Sequence, residues 1–289
     1  MILILYNQFD KSSLSFINYL QEHGYKNYIS LETRELLNNT TIQDDFKQSC
    51  IWEVSNQKIN FVDITGIYNR IFELNTQYFD EYKEEDRGYV AKEWWCYLIY
   101  MLNINKNCIN PITPEFFSGK LLQFPYLLRK AKEVGLNTPE FYLSTDYNFL
   151  KEKFFSNNNK KYTVVNSLSS VTHFKKSNSI EYHNIGLIEF IKGSLLFVHV
   201  IGDNVFCTRQ VQNIKTETLV EQSELDKYIH LIKNLNLKIG QIILIEDAQK
   251  NRFVFHVSAY PNWNHAYSAL HKNIFDSLYK LLSSEQNRP

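Results

Sequence analysis

Apolar and polar positions alternate at the start of this chain in a pattern that predicts an α/β unit. Residues 2–6 (ILILY) form a short apolar run typical of a buried strand. Leu14, Ile17 and Leu20 then recur at helical spacing, and Gly24 lies where glycine commonly ends a helix. The stretch YISLET predicts a second strand. A strand, a helix and a strand in this order are typical of an α/β fold.

The same periodicities predict a mixture of helices and strands along the rest of the chain. A helix that is apolar almost all round, and therefore buried, runs through EWWCYLIYMLN. The Lys- and Asn-rich residues 151–161 are predicted to form a mobile loop, and residues 108–117, with two prolines, to connect domains. Further strands are predicted at 59–71, 138–145, 161–165, 186–191, 240–247 and 252–261, a hairpin at 194–210, and helices at 118–135, 223–235 and in the tail.

Composition and charge exclude several classes of protein. The 31 basic and 31 acidic side chains balance, which argues against binding to nucleic acid or to an anionic membrane through net charge. The four cysteines lie far apart without a CxxC pair, so reduced thiols are favoured over disulfides or a zinc site. From its first residues and its hydropathy, we expect neither a signal peptide nor a membrane-spanning stretch. The sequence predicts a soluble cytoplasmic protein.

Glycine is scarce, and this bears on the chemistry. The chain has 9 glycines, where ordinary usage would give about 20. Phosphate-cradling loops are usually built from glycine, and no GxSxG, P-loop, GxGxxG or HExxH motif occurs. No glycine lies between Gly135 and Gly186. His256 and His265 flank a Pro-Asn-Trp turn, and a structural role is favoured for both over a shared site.

Three stretches of the chain share their order and spacing with a known family. NPITPEFFSGKLLQFPYLLRKAKEVGLNTPEFYLST is similar to a segment in which a lysine-bearing helix precedes G-x-x-x-P-x-T. GLIEFIKGSLLFVHVIGDNVFC is similar to a hinge followed by a hairpin, and GQIILIEDAQKNRFVFHVSAYPNW to a metal-binding segment. Together they resemble the ATP-grasp superfamily, in the branch of ribosomal-protein glutamate ligases and graspetide peptide maturases.

This resemblance implies both a fold and a chemistry. The fold would be α/β (α+β) and ATP-grasp-like: an N-terminal α/β domain at 1–110, a central lid-like subdomain at 111–185 and a C-terminal subdomain at 186–289, the last two enclosing a cleft. The family activates a carboxylate with ATP and Mg²⁺, and an amine or hydroxyl attacks the acyl phosphate. A peptide or protein partner and homo- or hetero-oligomers are further expectations, whereas membrane and nucleic acid are not expected.

Some residues that the resemblance assigns to the site are retained. Lys120 matches the helix lysine that contacts the nucleotide phosphates. Glu189, with Phe190 and Ile191, matches the hinge that holds adenine and ribose. Arg70 matches the Y-x-R position of the peptide maturases, and we expect it to contact the peptide or the other domain. The alternatives are a solvated lysine at 120 and an ordinary strand residue at 189.

Most charged positions of the family are replaced by neutral side chains. The second lysine falls on Asn166, the D-x-R pair on Leu195 and Phe197, and the metal positions on Ile242, His256 and Ser258. Such groups neither neutralise a triphosphate nor supply the carboxylates that hold Mg²⁺. Glu246 and Asp247 are candidate displaced ligands, although a surface turn is favoured for them. Lys175 and Lys176 are weaker candidates to replace the lost lysine.

Three hypotheses follow from the sequence. The favoured one is a degenerate ATP-grasp protein, a pseudoenzyme of a graspetide-type pathway for ribosomally synthesised, modified peptides (RiPPs), which binds a peptide or partner and has lost ligase chemistry. The alternative is an active ATP-dependent peptide ligase with an altered metal site. The third is an α/β protein whose resemblance is accidental. The sequence leaves open whether the chain is an enzyme: ATP and Mg²⁺ are implied by the resemblance, and the replaced residues argue against them.

Overall fold

The computed structural model describes residues 1–45, 50–55, 57–71, 74–104, 108–110, 124–156, 161–165 and 185–284. Its helices are α1 Lys11–Glu22, α2 Thr33–Asn39, α3 Glu84–Ile104, α4 Phe124–Glu133, α5 Tyr147–Ser156, α6 Gln222–Asn234 and α7 His271–Ser283. Its strands are β1 Ile2–Tyr6, β2 Tyr28–Glu32, β3 Thr40–Asp44, β4 Cys50–Val54, β5 Gln57–Asn60, β6 Gly66–Arg70, β7 Phe141–Leu143, β8 Tyr162–Val165, β9 Gly186–Glu189, β10 Ser194–Ile201, β11 Asn204–Val211, β12 Ile214–Glu217, β13 Ile239–Glu246 and β14 Arg252–Ser258.

The N-terminal part is built on a parallel sheet in the order β2-β1-β6. The apolar run of β1 is buried on both faces: Leu3 and Leu5 pack in one core with α3, and Ile2 and Ile4 pack in another with α1. Asp10 caps α1 by accepting from the backbone N–H of Ser12 at 3.2 Å. The strand–helix–strand start predicted from the sequence is confirmed.

A second, antiparallel sheet (β3-β4-β5) covers one side of α3 and is absent from the sequence prediction. Its contact is centred on Trp52, which is fully buried and whose indole Nε1 donates to the Tyr97 hydroxyl at 3.0 Å. The sequence predicts that this helix is buried because it is apolar almost all round, and the structure corrects this. Tyr89 and Cys96 are exposed, because the described chain packs against the opposite side of the helix.

The C-terminal part is built on a five-stranded antiparallel sheet in the order β12-β11-β10-β13-β14. The predicted hairpin is confirmed: β10 and β11 pair around Gly202, which takes a positive φ of 58°. One face of this sheet packs against α4 and α6. The buried side chains of that contact include Leu127, Ala131, Tyr228, Leu231, Leu196, Val198, Ile242 and Leu244.

A small sheet in the order β7-β9-β8, with α5 beside it, corrects two predictions. Residues 151–156 are helical where a loop was predicted, because Leu150 is fully buried and Phe154 packs beside Tyr162. Because most of the surrounding residues are lysine and asparagine, the sequence pattern does not reveal this short apolar stripe. The predicted strand 138–145 is shorter, Phe141–Leu143, and the described helix α4 begins at Phe124 within the range predicted from 118.

The N-terminal and C-terminal parts are joined by buried contacts. The side-chain amide of Asn110 donates to the carbonyls of Ile239 (3.1 Å) and Ala259 (2.9 Å), and its oxygen accepts from the N–H groups of Lys238 and Ile239. Helix α7 lies in the same core as α1 and β1. Within the described ranges, no helix combines the length and the apolar character needed to cross a membrane.

Candidate functional site

The site implied by the sequence maps to the face of the five-stranded sheet that points away from α4 and α6. We call this face the sheet floor. Because side chains alternate along a strand, odd-numbered positions of β10 and β13 lie on it. Two cross-strand rows follow from the register: Thr208, Phe197, Ile243 and His256 in one, and Phe206, His199, Gln241 and Ser258 in the other.

The three positions assigned to the metal by resemblance are not brought together. Ile242 is fully buried on the helix side of the sheet, whereas its neighbour Ile243 pairs with His256 on the floor. His256 is exposed, and the Ser258 hydroxyl donates to the carbonyl of Tyr260 at 3.0 Å. In the part of the chain that the structure describes, no group of three His, Cys, Asp or Glu side chains could hold a metal ion.

A buried polar network occupies the floor beside these positions. The amide nitrogen of Gln241 lies 3.0 Å from His199 Nε2 and 3.0 Å from His265 Nδ1, and its oxygen accepts from the N–H of Asn262 at 3.3 Å. The ring of His265 packs against the ring of Phe197 in a tilted arrangement, with centroids 4.5 Å apart and 30° between the ring planes. Burial lowers the pKa of His199 to about 3 and also lowers the pKa of His265, so both rings are neutral near pH 7.

Sequence reasoning missed this network. The signal available in the sequence was that His199 and Gln241 stand at odd positions of two strongly apolar strands, where a polar side chain needs a buried partner. Of the two histidines around the Pro-Asn-Trp turn, His265 belongs to the network, in line with the structural role favoured for it. The exposed His256 does not share its surroundings.

Glu246 and Asp247, the candidate displaced ligands, are both engaged elsewhere. Glu246 is 4% exposed and accepts from Arg209 (2.8 Å), Arg252 (3.0 Å) and Lys250 (3.1 Å). Burial opposes ionisation of Glu246, but these cations hold its pKa below the usual range. Asp247 accepts from two backbone N–H groups and from the Asn251 side chain, which confirms the surface turn predicted for it. For Glu246 that prediction is wrong, because Glu246 is the buried last residue of β13.

Arg70 is buried where β6 ends. Its guanidinium donates to both carboxylate oxygens of Asp10, at 2.8 Å and 3.0 Å, and to the carbonyl of Pro261 at 3.4 Å. It also lies over the ring of Tyr260, 5.3 Å from the centroid. Burial opposes ionisation of Asp10, yet Arg70 holds its pKa below the usual range. Of the two contacts expected for Arg70, the described structure contains the one to the other part of the chain.

The hinge residues lie between β9 and β10. The Glu189 carboxylate accepts from the N–H of Glu140 at 3.1 Å, and the Glu189 N–H donates to the Glu140 carbonyl at 2.8 Å. The N–H of Phe190 donates to the Lys161 carbonyl at 2.7 Å, and Ile191 is half-buried against the core. The remaining predicted positions, Lys120, Asn166, Lys175 and Lys176, lie outside the described residues.

The described floor does not fit ATP with Mg²⁺. A triphosphate needs cationic side chains, and Mg²⁺ needs hard oxygen ligands such as carboxylates. Across β10, β13 and β14 the floor offers hydrocarbon and aromatic side chains, neutral imidazoles, the Gln241 amide and the Ser258 hydroxyl, which is already bonded to backbone. Towards β12, the Thr208 hydroxyl accepts from the N–H of Tyr267, Glu217 lies opposite Thr208, and Lys215 donates to the carbonyl of Asn264. The nearest acidic residues in sequence, Glu246 and Asp247, are bound to arginines, a lysine and turn amides.

The arrangement of the strands and helices defines a class of fold: that of the ATP-grasp ligases that modify ribosomally synthesised peptides. The macrocyclase MdnC of Microcystis aeruginosa MRC, solved with its precursor peptide MdnA, is similar with a TM-score of 0.75 and 15% identity over 97% of this chain and 98% of that one. The ATP-grasp ligase PsnB, solved with a minimal precursor, Mg and ADP, has a TM-score of 0.74 and 14% identity over 98% of both chains.

A third similar structure is the Chryseobacterium gregarium RiPP-associated ATP-grasp ligase with ADP and a leader and core peptide. Its TM-score is 0.73 and its identity 14%, over 97% of this chain and 96% of that one. No protein-family model and no curated protein matches the chain. At such low identity the likeness establishes the fold alone, because one fold supports several functions.

Proposed function

We propose that this chain binds a peptide or protein partner in the modification of ribosomally synthesised peptides and has lost ligase chemistry of its own. The observation that carries the proposal is the contact between Phe197 and His265. It puts two uncharged rings in tilted contact, with centroids 4.5 Å apart, at a position where the resemblance calls for an arginine. The cation nearby, Lys215, already donates to the carbonyl of Asn264.

The peptide part of the proposal has separate support. The similar structures of MdnC and PsnB are complexes with precursor peptides. A floor of aromatic, aliphatic and neutral hydrogen-bonding side chains suits an uncharged segment of polypeptide better than a polyanion. The division at 1–110, 111–185 and 186–289 belongs to the same proposal.

A thermal-shift experiment with ATP and Mg²⁺ tests the loss of chemistry. A ligand at 100 times its Kd stabilises the folded state by about 2.7 kcal/mol, which would raise Tm by several degrees in a chain of this size. We expect a change in Tm of less than about 1 °C at millimolar ATP. ATP turnover that depends on Mg²⁺ and a peptide, and that Lys120→Ala abolishes, would instead establish the active ligase.

Calorimetric titration with precursor peptides encoded near this gene tests whether the chain binds a peptide. We expect saturable binding that is the same with and without Mg²⁺–ATP, because the proposal assigns no role to the nucleotide. If none of these peptides bind and the thermal-shift result is negative, the partner-binding function is wrong.

A further inference from the structure

The turn that follows β14 places a histidine between two amide side chains. We call residues 262–265 the floor turn, because His265 packs against Phe197 of the sheet floor. His265 Nε2 lies 3.2 Å from Asn262 Nδ2, while Asn262 Oδ1 accepts from the N–H of Asn264 at 3.1 Å and so caps the turn. Because its oxygen is bound to Asn264, the Asn262 side chain presents its nitrogen to the ring, and an amide nitrogen can only donate. His265 Nε2 is therefore an acceptor, and the proton of the neutral ring lies on Nδ1.

His199 independently requires the same arrangement at Gln241. His199 Nε2 lies 3.2 Å from the carbonyl of Asn262, which can only accept, so this nitrogen carries the proton of its ring. His199 Nε2 and His265 Nδ1 are both 3.0 Å from one end of the Gln241 amide. Two N–H groups that point at one atom need an acceptor there, and the two ends of an amide have nearly the same shape. An amide turned with its oxygen toward both rings satisfies them, and it gives up only the bond from the N–H of Asn262, which at 3.3 Å is the longest of the network.

No carboxylate among the described residues bonds to His265 and would favour a second proton on its ring. Its hydrogen-bond and ring partners in the described ranges are Phe197, Gln241 and Asn262, which carry no charge. Burial, and after it the cation Lys215, lower the pKa of His265. The other charged or titratable groups around the floor turn are His199 on β10, Glu217 on β12, His256 on β14, His271 on α7 and the Arg70–Asp10 pair that reaches Pro261.

We propose that the neutral ring of His265 keeps the floor turn closed, and that the turn opens when Nε2 takes up a proton from solvent. The added proton converts the acceptor on that side of the ring into a donor, 3.2 Å from the Asn262 nitrogen, which is also a donor. If Asn262 turns its oxygen to the ring instead, the N–H of Asn264 loses its cap. One of the two bonds is lost in either case, so the open turn binds the proton more readily than the closed one.

The floor turn also connects the sheet floor to the N-terminal part of the chain. Trp263, in its middle, is fully buried; its indole Nε1 donates to the Tyr68 hydroxyl at 3.2 Å, and its backbone N–H donates to the Ser12 hydroxyl at 3.3 Å. Opening moves His265 away from Phe197 and weakens these bonds. Because the pKa of His265 is lowered from 6.5, the turn is closed above pH 6.5 and opens as the pH falls through the lowered pKa. Acid thus exposes the aromatic part of the floor and loosens the junction between the two parts.

Nitrogen-15 NMR of the histidine rings, combined with hydrogen exchange, tests the proton positions and the opening. At about pH 8, where the rings are neutral, we expect the proton of His265 on Nδ1 and that of His199 on Nε2. On acidification, His265 should titrate below pH 6.5. Over the same window, exchange at the Asn264 amide, corrected for its intrinsic pH dependence, should quicken by about fivefold or more as the cap is lost. A proton on His265 Nε2 at the higher pH, or exchange at Asn264 that does not follow the titration, overturns the proposal.

Asn262→Asp separates the conflict between two donors from the effect of burial. Aspartate keeps one oxygen for the N–H of Asn264 and offers the other to a proton on His265 Nε2. We expect the titration midpoint of His265 to rise by about 1 pH unit or more, and Asn264 exchange to stay slow at about pH 5. Asn264→Asp, the same change at an exposed side chain of the turn, should raise the midpoint much less. His265→Gln should remove the pH dependence of Asn264 exchange. An unchanged midpoint in Asn262→Asp, or equal rises in the two aspartate variants, refutes the proposal.

Discussion

Arg70 and Asp10 form a two-point ion pair at the carboxyl ends of β6 and β1, and only 5% and 6% of their side chains are exposed. Each member of the pair also makes a second contact. Asp10 also caps α1, and Arg70 reaches the carbonyl of Pro261 in the segment after β14. The start of the chain is thereby fixed against the loop that borders the sheet floor.

Removing one member of this pair should be costly. Arg70→Met leaves the Asp10 carboxylate buried without its cation, and we expect the free energy of unfolding to fall by about 3–5 kcal/mol in urea denaturation. Arg34→Met, in the exposed pair with Asp80, is the matched control and should cost at most about 1 kcal/mol. If both variants lost the same free energy of unfolding, burial would not be the reason that the Arg70–Asp10 pair matters.

His199 should make the stability depend on pH in a defined window. Its pKa is about 3 in the folded chain against 6.5 for a free imidazole, so below 6.5 the unfolded chain binds a proton that the folded chain does not. Stability is then full above pH 6.5 and falls toward pH 3, by up to about 1.4 kcal/mol per pH unit. His199→Gln should flatten this slope in urea denaturation between pH 6.5 and 4. Identical slopes for the two proteins would disprove the assignment.

Glu246 and Asp247 are neighbours in sequence with different roles, and paired substitutions should separate them. Glu246→Gln leaves Arg209 and Arg252 without their shared carboxylate, so we expect a loss of about 3 kcal/mol or more. Asp247→Asn keeps the turn oxygen and should cost less than about 1 kcal/mol. Chemical denaturation measures both. A Mg²⁺-dependent change in Tm that either substitution removes would mean that the carboxylate holds metal after all.

Asn110 should be hard to replace. Its side chain satisfies the carbonyls of Ile239 and Ala259 and the N–H groups of Lys238 and Ile239. Asn110→Ala leaves these backbone groups unpaired at a buried position, and each costs about 1–3 kcal/mol. We expect a drop of at least about 3 kcal/mol in denaturation experiments. Asn264→Ala, at an exposed position, should have no measurable effect.

The local pattern of the sequence was sufficient for much of the fold. The apolar run at 2–6, the helix ended at Gly24 and the hairpin around Gly202 all follow from short-range periodicity and glycine placement, which the folded chain retains. The same reasoning failed at 151–156. There the buried Leu150 and its aromatic neighbours stabilise a helix, whereas the Lys- and Asn-rich composition predicts a loop. It also missed β3–β5, whose strands are short and pack against α3 through Trp52 of β4.

The sequence by itself determined which residue stands at each position that the resemblance assigns to nucleotide and metal, because residue identity needs no structure. Only the tertiary structure decided which of these residues face the floor. Ile242 points to the helices and Ile243 to His256, since one step along a strand reverses the side of the sheet. Arg70 pairs with Asp10, which is 60 positions away in the sequence, and Gln241 contacts His199, which is 42 positions away. Such partners are chosen by burial, because a buried polar group is stabilised when it finds a hydrogen-bond partner.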